Sequence, residues 1–157
     1  MTSEVMRATR TGGDLASAAR TRDAAGVDLD ALISSMPFSV ANGVRLTSAS
    51  VDEVVGTLEW APDRCTVGGV LHGGALMNLA DSLGAILAYL NLPEGAVGTT
   101  TIESKTNLFR AVREGTATAT TTVLHAGRTT VVVQTDVRDD RGKRVSLTTQ
   151  TQAVLRG

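Results

Sequence analysis

One carboxylate stands alone in an otherwise apolar stretch. Between Ala75 and Asn91 there is no proline and, apart from Asp81, no charged residue, a pattern that predicts the longest helix of the chain. A carboxylate on a buried helix must pair, take up a proton or do chemistry, because leaving it charged and unpaired is costly. The chemistry open to Asp81 is general acid–base work or nucleophilic attack. The alternative is a buried Asp bonded to a backbone amide or an arginine. Just ahead, His72, Gly73 and Gly74 bring small residues, free backbone N–H groups and the positive end of the helix dipole. That setting suits a developing oxyanion, and a Gly-Gly pair serves a tight turn or close packing equally well.

Geometry restricts how these groups could cooperate. Gly73 and Asp81 lie eight residues apart, about 12 Å along a helix axis, so one helix cannot bring both to the same carbonyl. Two antiparallel copies could, each supplying its N-terminal amides to a site whose carboxylate comes from the other. Leu76, Leu79, Leu83, Ile86, Leu87 and Leu90 form a stripe that would pack on a sheet. The other face, Gly74, Met77, Asp81, Gly84, Ala85 and Ala88, is small enough for a neighbouring helix to approach. Asp81, His72 and Asn78 argue against a membrane span.

The elements that must position this helix follow from the periodicity. Leu29, Leu32, Ile33 and Met36 predict a short amphipathic helix that Pro37 stops, with Phe38 next as a core anchor. Residues 44–60 read as two strands or one bent strand. Beyond Pro93, residues 99–109, 116–125, 129–137 and 145–155 are rich in Thr and Val and alternate, with turn signals at Glu114-Gly115, Ala126-Gly127 and residues 139–142. Four consecutive antiparallel strands follow. The expected class is α+β, with one helix serving an antiparallel sheet of about six strands.

Composition narrows the function. The chain has 157 residues, enough for one domain with its own core, read as an arm over 1–28 and a folded domain over 29–157. A formal net charge of −1 offers no field for a polyanionic backbone, and 3% aromatic residues leave few platforms for stacking bases. No nucleic acid partner is expected. Cys65 is the one cysteine and His72 and His125 the two histidines, so no disulfide and no zinc-like ligand set can be drawn. The arm mixes acids with arginines and has no apolar core of a secretory signal. A cytoplasmic, metal-free protein with no membrane partner is the expectation.

The run Gly69-Val-Leu-His-Gly-Gly-Ala-Leu-Met-Asn-Leu-Ala-Asp-Ser82 resembles the signature of hotdog-fold acyl-CoA thioesterases of the 4-hydroxybenzoyl-CoA and phenylacetate-degradation type. The likeness continues through Ser104-Lys-Thr-Asn-Leu-Phe-Arg-Ala-Val-Arg-Glu-Gly115, His125-Ala-Gly-Arg-Thr-Thr130 and Val137-Arg-Asp-Asp-Arg-Gly142. It implies a hotdog fold, in which a six-stranded sheet wraps one central helix, and assembly as a homodimer across a continuous sheet, commonly a homotetramer. It also implies hydrolysis of an acyl-CoA, with no cofactor beyond the coenzyme A of the substrate.

Position by position, Asp81 stands at the family's acid and Gly73 at its oxyanion donor, with His72 beside it in the loop. Gly74 and Ser82 flank these as substrate-contacting positions. Arg110 stands at a contact to the CoA phosphates, and Arg128 with Thr129 at a second nucleotide contact. An Asp at 81, where some relatives carry Glu, is similar to the phenylacetate-degradation branch. Two positions depart from the pattern. Thr66 replaces a Gln or Asn that helps hold the nucleophile or water, and Ala85 replaces a Ser or Thr one turn after the acid. Thr66, Asn78 or Ser82 are the candidates to substitute. The departures favour, as the alternative, a non-catalytic acyl-CoA-binding protein that senses a ligand or acts as a scaffold.

Overall fold

A computed structural model describes residues 27–157, so the arm expected over 1–28 lies, but for its last two residues, outside the described residues. The first helix, α1 (Leu29–Ser34), is capped by Asp28, whose carboxylate accepts from the Ala31 N–H at 3.0 Å, and it turns Leu32 and Ile33 inward. Pro37 does not simply end the helical segment. It opens a second short helix, α2 (Pro37–Ala41), at the first-turn position where a missing N–H is harmless. That start sets the phase of α2 so that Ser39 points inward, and Phe38, expected as a core anchor, is 69% exposed.

Residues 44–60 form two strands, β1 (Val44–Ala49) and β2 (Glu53–Glu59). A 3-10 turn, Pro62–Arg64, then leads into a two-residue ribbon that the sequence pattern did not reveal, β3 (Cys65–Thr66) paired with β4 (Val70–Leu71). The central helix α3 spans Gly73–Leu90. The four remaining strands, β5 (Ala96–Leu108), β6 (Thr116–Ala126), β7 (Thr130–Arg138) and β8 (Arg144–Arg156), fall where the alternation placed them. All six long strands join one antiparallel sheet in the order β1-β2-β6-β7-β8-β5, which leaves β1 and β5 at the edges.

The sheet curves around α3. Val54 and Leu58 of β2, Ala117 and Ala119 of β6, and Val131, Val133 and Val137 of β7 alternate inward and are fully buried. They meet Leu79, Leu83, Ile86 and Leu87 of the predicted stripe, each large side chain contributing about 1.5–3 kcal/mol by leaving water. Gly56 sets the distance of approach: a Cβ there would come within 3.0 Å of Leu83 Cδ1 and 2.8 Å of the Arg45 carbonyl. The helix therefore sits tight on β2. By length and apolarity α3 could cross a membrane, but 56% of it is buried in this fold.

The inner face is not uniform. On β8 the inward positions are Ser146, Thr148, Gln150 and Gln152, all fully buried. Gly84 of α3 packs on this polar half of the sheet, where a Cβ would collide with the Gln150 side-chain oxygen and approach Val133. Its small size is required by the chain's own strand and not by a second helix, which corrects the reading of the small-residue face at that position.

On the outer face Asp136 accepts from Arg138 at 2.8 Å and from Arg144 at 2.9 Å. The hydrogen bond from Arg144, then that from Arg138, hold the Asp136 carboxyl below the usual carboxylate range against the opposing effect of burial. Because the folded-state value is depressed, this stabilisation is present above the ordinary carboxylate value and is lost as pH falls through the folded-state value. Asp136→Asn should therefore lower the thermal unfolding temperature near neutral pH. The gap should close as pH falls through and below the ordinary value of about 3.9; a gap independent of pH would show that packing, not charge, is what the substitution removes.

Candidate active site

The entry to α3 is built around His72. Its backbone is extended (φ −63°, ψ 136°), and its Nδ1 accepts the Gly74 N–H at 2.8 Å, so the imidazole caps the helix. Its carbonyl accepts the N–H of Ala75 at 2.9 Å, and its own N–H donates to the Arg64 carbonyl at 2.9 Å. These bonds use the first-turn donors with one exception. No acceptor among the described residues takes the N–H of Gly73, which points out of the positive end of the helix. A Cβ on Gly73 would stand 2.8 Å from Leu108 Cδ1, so the turn also lies close against the end of β5.

Asp81, two turns along, is half-buried rather than enclosed. Its Oδ1 accepts from Gln150 Nε2 at 2.6 Å and from Thr101 Oγ1 at 3.0 Å, while Oδ2 has no donor among the described residues. Neither a backbone amide nor an arginine holds this carboxylate, so the alternative expected for a structural Asp is not what the fold provides. Thr101 in turn accepts from Gln150 at 3.0 Å and from Gln152 at 2.7 Å. Gln150 Oε1 is buried with no partner, a penalty of about 1–3 kcal/mol for such a group.

The other candidates fall into separate places. Thr66, the exposed residue of the ribbon, pairs with Val70, and no hydrogen bond joins it to Asp81 or His72. Ser82 is buried on the far side of α3, where its hydroxyl donates to the Asn78 carbonyl at 2.7 Å and meets Ser39 Oγ at 2.6 Å. It ties α2 to α3, and no hydrogen bond joins it to the Asp81 oxygens. Asn78 Oδ1 accepts from Ser39 in the same cluster at 3.3 Å. Gly74, its N–H given to His72, is exposed at the mouth of the helix.

Arg110 follows β5, its N–H on the Val145 carbonyl at 3.2 Å, whereas the Thr129 carbonyl, next to Arg128, accepts from Val154 at 2.9 Å. Val145 and Val154 are nine residues apart on β8, about 30 Å at strand rise. One chain cannot close both arginines on one nucleotide. The pairing of β5 with β8 sets Leu108 opposite Ser146 and Thr101 opposite Gln152. Gly73 and Arg110 thus share one end of the sheet, and Asp81 and Arg128 the other.

Thr101, Gln150 and Gln152 were not among the residues singled out by type and spacing. The signal was present as a run of polar side chains at every second position of β8, from Ser146 to Gln152, on what proves to be the inner face.

The chain matches the thioesterase superfamily model over residues 68–146. A Vibrio cholerae protein named as an esterase, VC_A0580, is 40% identical over 90 residues, 56% of this chain and 58% of that relative, so the match spans little more than half of its length. PA1618 of Pseudomonas aeruginosa is 30% identical over 130 residues, 82% of this chain and 90% of its own. The crystal structure of a mutant of that thioesterase superposes with a TM-score of 0.76 at 29% identity, over 82% of this chain and 94% of that one. The 1,4-dihydroxy-2-naphthoyl-CoA hydrolase of Escherichia coli is 34% identical over 87 residues, 55% of this chain and 63% of its own. The six-stranded sheet wrapped on one helix is a hotdog fold.

If His72 serves α3 as its cap, His72→Ala should lose about 1 kcal/mol of unfolding free energy, the usual effect of removing an N-cap. His72→Asn, which keeps a capping oxygen, should recover most of it in the same urea titration. Equal losses in both variants would show that the ring is held for another reason.

Proposed function

The chain belongs to the thioesterase superfamily, a group of thioester hydrolases, and from that premise we propose that it hydrolyses an acyl-CoA with Asp81 as its catalytic carboxylate. The observation that carries this reading is the state of two groups on α3. Among the described residues, Asp81 has one oxygen tied to Thr101 and Gln150 and the other without a donor, and the Gly73 N–H at the helix start is also unclaimed.

The two groups are about 12 Å apart on one helix, so the site is shared between two copies of the chain. β5 supports this arrangement. It is an edge strand carrying Val97, Ile102 and Leu108 exposed, with Phe109 just beyond, the kind of edge that pairs with a second chain. Antiparallel pairing of two β5 edges turns the Gly73 and Arg110 end of one subunit toward the Asp81 and Arg128 end of the other. Arg110 and Arg128, too far apart within one chain, then serve one nucleotide, their planar guanidinium groups matching its phosphates.

In the reaction, the Gly73 N–H and helix dipole receive the thioester oxygen as it gains charge. By the general-base route, Asp81 Oδ2 takes a proton from water, the hydroxide oxygen bonds to the carbonyl carbon, and the C–S bond breaks. The CoA thiolate leaves and takes up the proton. By the nucleophilic route, Oδ2 itself bonds to the carbonyl carbon and the thiolate leaves, after which water hydrolyses the mixed anhydride. The acyl-CoA hydrolase among the relatives supports coenzyme A as the carrier, and coenzyme A chemistry with one unpaired cysteine fits the cytoplasm.

A binding-only protein is favoured by one observation: neither Thr66, exposed at the ribbon, nor Ala85 supplies a polar group to the Asp81 carboxylate. Release of free thiol from acyl-CoA by the purified chain decides between the two readings.

Asp81→Asn should leave a folded oligomer and lower turnover by at least about 10²-fold, the lower range for a positioned acid or base. Mixing two inactive variants, Asp81→Ala and Gly73→Val, under subunit exchange should restore up to about a quarter of the site activity. Half of the dimers are then hybrids, and each holds one intact site of two. No recovery in verified hybrids would sink the shared site.

Arg110→Ala and Arg128→Ala should each raise KM for acyl-CoA far more than for a truncated thioester lacking the nucleotide. Equal effects on the two substrates would remove both from the phosphate contact.

A further inference from the structure

The hydrogen bonds behind Asp81 run in one direction. The one hydrogen of Thr99 Oγ1 is shared between the Ala153 carbonyl at 3.0 Å and Gln152 Oε1 at 3.1 Å, and the Gln152 amide turns its nitrogen toward Thr101 at 2.7 Å. Gln152 and Gln150 both donate to Thr101 Oγ1. An amide nitrogen accepts nothing, so the Thr101 hydroxyl hydrogen has Asp81 Oδ1 as its outlet. Gln150 cannot be turned around. Reversing its amide would set Oε1 against Oδ1, oxygen to oxygen, at the 2.6 Å where Nε2 now donates.

That fixed orientation leaves Gln150 Oε1 buried, without a partner, beside the one helix position that has no Cβ to obstruct it, Gly84. Gln150 and Gln152 are fully buried in a sheet whose other inward positions are largely apolar. A side chain placed there for stability alone would be Leu or Met, which leave no polar atom unsatisfied. A buried oxygen left without a partner on the very amide that holds a carboxylate is the kind of local cost expected at a functional position.

We propose that Gln150 is a positioning residue for Asp81, acting with Thr101 and backed by Gln152 and Thr99. It clamps Oδ1 and fixes the rotation of the carboxylate, so that Oδ2 alone faces the thioester. The inference rests on the reading of Asp81 as the catalytic group. A carboxylate free to rotate presents either oxygen at varying angles, and small misplacements of a reacting group lower the rate without weakening substrate binding. Gly84 belongs to the same device, since its missing side chain makes room for the Gln150 amide.

The test uses the full chain and steady-state hydrolysis of acyl-CoA. Gln150→Met keeps the length and removes the donor. It should lower kcat at least about tenfold, leave KM within about twofold, and leave the thermal unfolding temperature unchanged or higher. Thr101→Val, on the exposed edge strand, should lower kcat in the same way even if the Gln150 variant folds poorly, and Thr101→Ser should restore most of it. In an Asp81→Asn background neither change should have a further effect. Wild-type kcat in Gln150→Met or Thr101→Val, beside an inactive Asp81→Asn, would overturn the positioning role alone. A kcat loss in Gln150→Met that tracks a lower unfolding temperature and is absent from Thr101→Val would assign Gln150 to the core and overturn it too. Full activity in Asp81→Asn would instead remove the catalytic reading on which the inference stands.

Discussion

An 18-residue helix that carries one charged side chain can be wrapped by a sheet on that side only if the sheet supplies hydrogen-bond donors there. The rest of the molecule is arranged around this constraint. The Leu79, Leu83, Ile86 and Leu87 stripe of α3 is satisfied by ordinary apolar packing against β2, β6 and β7. The sector holding Asp81 faces β5 and β8, and there the inner face changes from Val and Ala to Thr, Ser and Gln. One carboxylate thus explains why two glutamines are buried, why a threonine of an edge strand turns inward, and why Gly84 lacks a side chain.

The same sector sits at the open edge of the sheet, which links the carboxylate to assembly. β5 holds Asp81 Oδ1 through Thr101 and has no strand beyond it, so the carboxylate is bonded to an edge strand of the sheet. The Gly73 N–H opens at the other end of the same strand, near Leu108. Under the proposed mechanism the two groups stand at opposite ends of an unpaired edge, and a monomer would lack one of them at each site. A two-fold related copy is the simplest way to superimpose the ends. Arg110 and Arg128 lie beside opposite ends of β8, so the proposed pairing of two copies applies to them as well.

Most of the architecture was legible because its elements are long and strongly patterned. The turn signals at Glu114-Gly115, Ala126-Gly127 and residues 139–142 divide β6, β7 and β8 correctly, and the apolar run from Ala75 gives α3 to within a residue or two. What alternation does not encode is which of its two faces is buried. On β8 both parities are mixed, Leu147 and Ala153 with Thr149 and Thr151 on one and Ser146 to Gln152 with Val154 on the other, so no apolar alternation shows that Gln150 and Gln152 face inward. The fold buries the parity of Gln150 and Gln152 because Asp81 lies opposite, a tertiary demand that no window of the strand contains. Phe38 was misplaced for a related reason: the phase of a five-residue helix is set by Pro37 at its first turn, not by the size of the next side chain.

The polar cluster behind Asp81 also shows where this chain gives up stability. Glycine inside a helix is about 1 kcal/mol worse than alanine, and a buried carbonyl oxygen without a partner costs about 1–3 kcal/mol. Gly84 and Gln150 Oε1 carry both penalties at one contact. They are coupled: alanine at 84 would relieve the first only by displacing the second, and an apolar residue at 150 would relieve the second only by releasing Asp81. A core under selection for packing alone would have escaped this pairing by two single substitutions. Both penalties meet beside the one charged residue of the central helix, where the same Gln150 amide holds Asp81 Oδ1, and that coupling is the basis for reading the arrangement as chemical.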